Sequence, residues 1–156
     1  MADHPFALSL ITQRQYFERG TACFLPEDAD FAPQPELLTV AGHIAHSAIT
    51  VEWFMAGAFT VAGFDMDFAA HEREARSITT LTEARARFAS AYTVAIAKFE
   101  HSTMAELLVP MPEGPIMGGD PRCAIVYALG DHTAHHRGAL AVYARLAGRV
   151  PAMPYA

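Results

Sequence analysis

Apolar residues recur along most of this chain at steps of three and four, the spacing that places side chains on one face of a helix. The pattern is plainest over 80–101. Leu81, Ala84, Phe88, Ala91, Tyr92, Ala95 and Phe99 mark one stripe there, and Thr79, Thr80 and Thr82 before Glu83 supply an N-cap region. A first helix is expected over 3–24, where Phe6, Leu8, Ile11, Tyr16, Phe17, Cys23 and Phe24 stand among charges; its apolar set is broad. Pro26, Pro33 and Pro35 then break the chain. The second helix is expected over 36–62, with Pro35 and Glu36 at its start and Gly63 after its end.

From Leu37 to Phe64 the one charged residue is Glu52. That length suffices to span a bilayer. However, His43, His46, Ser47, Thr50 and Thr60 interrupt it and no basic residues flank it, so a helix buried among other helices is the expectation. The stretch 63–77 reads as a surface connection with a helical turn of its own. The run from Val109 to Pro121 carries four prolines and three glycines, too broken for a helix or a central strand, and such a loop can lie over a site. Asp120 as N-cap and Pro121 in the first turn then open a fourth helix, expected to run to about Ala147 before Gly148. Four long helices and no convincing strand give an all-α fold, a four-helix bundle, as one domain over 1–156.

Composition narrows the function. The chain has 156 residues, 52% of them hydrophobic, as expected of a globular protein with a sizeable core. Its net charge of −6 and scattered basic residues argue against nucleic-acid partners and against attraction to anionic membranes. Cys23 and Cys123 lie far apart and suggest free thiols rather than a disulfide framework; with no basic-then-apolar leader at the start, the expectation is a cytoplasmic protein.

The chemistry sits in Gly130-Asp131-His132-Thr133-Ala134-His135-His136-Arg137-Gly138. His132 and His136 are four apart, about 40° around the helix and about one turn along it, a spacing at which two imidazoles can close on one metal ion. A third donor comes from Gly42-His43-Ile44-Ala45-His46, where His43 and His46 share one side of the second helix. Glu52 lies on the opposite side from His43 and is a poor ligand. Three neutral imidazoles suit zinc, nickel, iron or copper and leave a coordination position open, the arrangement of a catalytic site. Histidines four apart are also common as half-buried packing residues. His4, His71 and His101 read as solvated, and Trp53, Phe54 and Tyr127 as core.

The fourth-helix text "LGDHTAHHRGALAVYARLAGRVP" resembles the signature of the DinB/YfiT-like family of small metal-binding four-helix-bundle proteins. His132, His136-Arg137-Gly138, Tyr143, Arg145, Gly148 and Pro151 stand in that pattern, "GHIAHS" resembles the first-ligand segment, and "PIMGGDPR" resembles the lead-in to the last helix. Ala139 departs from the pattern, since glutamine is frequent there. The resemblance implies up-down-down-up helix order, a homodimer, and a divalent metal on His43, His132 and His136, with His46 the rival to His43. Zinc is the leading metal, nickel and iron its alternatives.

The resemblance further implies a thiol-dependent transferase chemistry, in which the metal activates a low-molecular-weight thiol against a small-molecule substrate; an open site equally supports hydrolysis by activated water. Arg137, Arg145 and Tyr143 are the candidate catalytic side chains. Two other classes compete: a non-catalytic ligand-binding module using the apolar second helix with Met111 and Met117, and a structural metal whose fourth position is filled by His46 or a carboxylate.

Overall fold

The computed structural model describes residues 4–156, and among these every regular element is helical. Helix α1 spans Pro5–Thr21, α2 Val40–Phe59, α3 Phe68–Ser77, α4 Leu81–His101, α5 Met104–Leu107 and α6 Ile125–Leu146. The two chain segments that approach strand geometry form a single bridge between Pro110 and Pro121.

Local chemistry explains where the helices begin. Helix α2 starts at Val40 rather than at 36 because Thr39 is its cap, its Oγ1 accepting from the Gly42 N–H at 3.1 Å. It ends at Phe59 rather than at 62, and Gly63 lies in the connection beyond with a φ of 70°. Thr80 caps α4 in the expected place, accepting from the Glu83 N–H at 3.2 Å. The opening of α6 differs from the sequence expectation. The Asp120 carbonyl accepts from the Met111 N–H at 2.8 Å, and the Pro110–Pro121 bridge keeps this segment extended. A single 3-10 turn, Arg122–Ala124, therefore intervenes before α6 begins. The connection expected over 63–77 contains a full ten-residue helix, α3, capped by Asp67 through the Ala70 N–H at 2.9 Å.

Helix α2 packs against α3, α4 and α6, while α1 packs against α4 and α6. Contact on several sides accounts for the burial of α2 almost all round, including Val40, Ala41, Ile44, Ala45, Ala48 and Val51. Among the described residues no helix is long and apolar enough to cross a membrane. Phe17 of α1 stacks on Phe88 of α4 with ring centroids 4.3 Å apart. Tyr92 of α4 shares a 2.8 Å hydrogen bond with Thr133 of α6, which anchors the histidine-bearing turn of α6 to the core. The 109–121 loop packs over the far end of α2, where Pro112 approaches Gly63 and Arg122 Nε donates to the Ala58 carbonyl at 3.0 Å. Cys23 is half-buried and Cys123 buried, both as free thiols.

Candidate metal centre

Helices α2 and α6 cross so that four imidazoles meet. His43 and His46 lie one turn into α2 from the Thr39 cap, and His132 and His136 lie mid-way along α6. His136 Nε2 stands 3.0 Å from His132 Nε2. The ring of His46 lies 5.3 Å from that of His132 and 4.8 Å from that of His136. One nitrogen from each of His46, His132 and His136 falls in a group spanning no more than 4.8 Å. Two nitrogens bound to one tetrahedral zinc would be about 3.4 Å apart, so small side-chain rotations bring this trio to bonding distance.

His43 meets the same cluster from behind. Its Nε2 lies 2.6 Å from His136 Nδ1, the nitrogen facing away from His132. The sequence expectation placed His43 among the ligands with His46 as rival; the trio with ligand-like spacing contains His46, and His43 reaches the back of His136. His135 is exposed, its ring edge-on to His136 at 4.9 Å.

The electrostatics favour neutral, electron-donating rings. Burial is the main cause holding His43 and His132 down at about 4 and His136 at about 2, reinforced by the neighbouring imidazoles. His46 is also lowered by burial, with the Glu72 carboxylate pulling the other way. Among the described residues, the buried Nδ1 atoms of His43 and His132 have no hydrogen-bond partner. Three uncharged nitrogen donors from two helices fit a divalent ion of the borderline kind.

The cluster opens on a cavity of about 700 Å³ between α2, α3 and α6. His46 and His132 form part of its wall, with Trp53 and Phe54 of α2, Phe68, His71 and Glu72 of α3, and Asp131 and His135 of α6. Trp53 and Phe54, expected as core, pack against core residues and also face this space. His71, expected as solvated, faces it too and approaches the Asp65 carboxylate at 3.3 Å. The contribution of α3 escaped the sequence reading. Its signals were the Asp67 cap and the Glu72–Arg76 pair four apart, which closes at 2.8 Å. The 109–121 loop contributes nothing to this wall.

The other candidate catalytic residues lie outside this cavity. Arg137 and Arg145 line a separate cleft under the C-terminal tail, where Arg137 donates to the Tyr155 hydroxyl at 3.2 Å. Tyr143 packs its ring 5.3 Å from His43 and donates to the Leu38 carbonyl at 3.2 Å. Glu52 is paired with Arg87 of α4 at 2.6 Å.

The DinB family pattern matches residues 22–156, which include the whole histidine cluster and its cavity. The chain belongs to the DinB family. No curated protein matches it as a relative. In this DinB protein the three-histidine cluster is compatible with a divalent metal.

Proposed function

We propose that this DinB protein is a metal-dependent enzyme that activates a small thiol or a water against a small-molecule substrate. The observation that carries the reading is the convergence of His46, His132 and His136 at the wall of a 700 Å³ cavity. A divalent metal held there, zinc before nickel or iron, supplies the Lewis acidity that ionises a thiol or water near neutral pH. His46, His132 and His136 would hold the ion, and the adjoining cavity has room for a thiol or water beside it. His43 stands behind His136 and fixes its ring orientation and tautomer. Trp53, Phe54 and Phe68 give the cavity an apolar wall that limits water around the reacting groups. No serine or cysteine nucleophile beside a base is needed, because the thiol or water is the nucleophile. The reading includes an up-down-down-up four-helix bundle and a homodimer, which the family resemblance implies, and a cytoplasmic location, which the free thiols Cys23 and Cys123 support.

Elemental analysis of the purified protein tests the first half, with one divalent ion per chain expected. Cobalt substitution tests the second: added small thiols are expected to change the visible absorption of the cobalt protein. A site that binds metal but never changes its spectrum with thiol, and releases no hydrolysis product from ester substrates, overturns the enzymatic reading.

A further inference from the structure

The cavity beside the histidine cluster has a charge character of its own. Among the described residues, no lysine or arginine lines it, and its acidic groups are Glu72 and Asp131. Asp131 is exposed and, among the described residues, makes no ion pair; Arg76 engages Oε1 of Glu72, and no described side chain bonds the second oxygen. Arg76 is itself drawn off the cavity by the Glu36 and Leu37 carbonyls, at 2.7 and 3.3 Å.

The opposite character comes from the aromatic wall. Trp53 is pinned by its indole N–H donating to the Asp65 carbonyl at 2.6 Å, and its ring lies 4.9 Å from Phe54 and 5.8 Å from Phe68. A fixed aromatic wall with carboxylates at its edge is the combination that binds organic cations, by cation–π attraction to the rings and Coulomb attraction to the acids. In the metal-free protein, anions of the same size meet the same apolar wall but are repelled by both carboxylates; a bound divalent ion would act on the end of a molecule nearest the histidines.

We propose that this cavity selects small organic cations, amines carrying an apolar or aromatic body, over anions of equal size. This rests on reading the cavity as the substrate chamber of the metal site and names the class of molecule it admits. A cosubstrate thiol entering here would be neutral or cationic at the end remote from its sulfur.

Trp53 is the single tryptophan of the chain, so its emission reports directly on this cavity. The full-length, metal-free protein is titrated with phenethylamine and with 3-phenylpropionate, which differ mainly in the sign of the terminal charge. Phenethylamine is expected to change the emission saturably and to bind at least about fivefold more tightly, with the preference shrinking as salt is raised. In the Glu72→Gln/Asp131→Asn double variant the two affinities are expected to come within about twofold of each other. Each single variant, checked for unchanged circular dichroism, should lose part of the preference. Equal affinities in the parent protein, tighter binding of the acid, no saturable response to either probe, or a preference surviving the double substitution would each overturn the proposal. Metal content is measured separately: a protein that binds no metal yet prefers the amine sinks the metal reading alone, and a protein that binds metal with no preference sinks only this one.

Discussion

His43 Nε2 lies 2.6 Å from His136 Nδ1, and His136 turns its other nitrogen to His132. One ring of α2 therefore meets the back of a ring of α6; with a metal on His136 Nε2, that would be the place of an orienting partner. If His136 uses Nε2 for a metal, its Nδ1 carries the proton and His43 accepts it. His46→Ala and His136→Ala are then expected to lose most bound metal. His43→Ala is expected to keep the stoichiometry and bind about 10–100-fold more weakly in a chelator competition. His135→Ala should bind as the parent does. Loss of stoichiometry in His43→Ala, with His46→Ala intact, would exchange the roles of the two α2 histidines.

Glu52 provides the matching negative control. It faces α4, where Arg87 binds it at 2.6 Å and Glu74 at 2.8 Å, and burial plays against these pairs in setting the raised Arg87 value. Glu52→Gln is expected to leave metal content unchanged by elemental analysis. Its stability cost should stay below about 1 kcal/mol, since both partners are partly solvated.

These two residues also mark how far the sequence could be read. The side of α2 opposite Glu52 was legible, because 100° per residue fixes relative positions on one helix. The choice between His43 and His46 was not, because three residues apart they flank the same face and only the rotation of α2 against α6 decides which ring meets which nitrogen. Arg137 shows the same limit: next to His136 in sequence, it is carried 100° round α6 and lands under the tail beside Tyr16 and Tyr155. The all-helical character was legible from periodicity. Helix α3 was not, since Ala75 is its single buried residue and it owes its place to packing on α2. The 109–121 loop had the composition of a lid, yet its backbone bonds close it on itself, and Pro112 lies against Gly63, beyond the other end of α2.

Asp28 gives the pH dependence of stability. It is buried and accepts from Arg149 Nε at 2.9 Å, from Arg149 Nη2 at 3.0 Å and from the Leu25 N–H at 2.7 Å. The Arg149 hydrogen bond holds its carboxyl below the usual range, against the opposing effect of burial. The folded value is thus depressed relative to about 3.9 in the unfolded chain. The stabilisation is present above about pH 4 and is lost as pH falls through the lower folded value. Asp28→Asn is expected to cost about 1–3 kcal/mol at neutral pH in urea unfolding, with the difference from the parent narrowing below about pH 4. A cost independent of pH would mean the carboxylate charge contributes nothing.

Gly57 tests the aromatic wall without touching a histidine. It is buried in α2, and a Cβ there would overlap the Phe64 ring, a clash relieved only by moving the ring. Phe64 in turn packs on Trp53 with centroids 4.7 Å apart and on Phe54 at 5.8 Å. Alanine favours a helix over glycine by up to about 1 kcal/mol, but overpacking of this kind costs about 1–3 kcal/mol. Gly57→Ala is therefore expected to lower the thermal midpoint and to shift the Trp53 emission as Phe64 is displaced, while metal content stays at the parent level. A stabilised protein with unchanged Trp53 emission would mean that Phe64 yields freely and that the ring wall is not held by this contact.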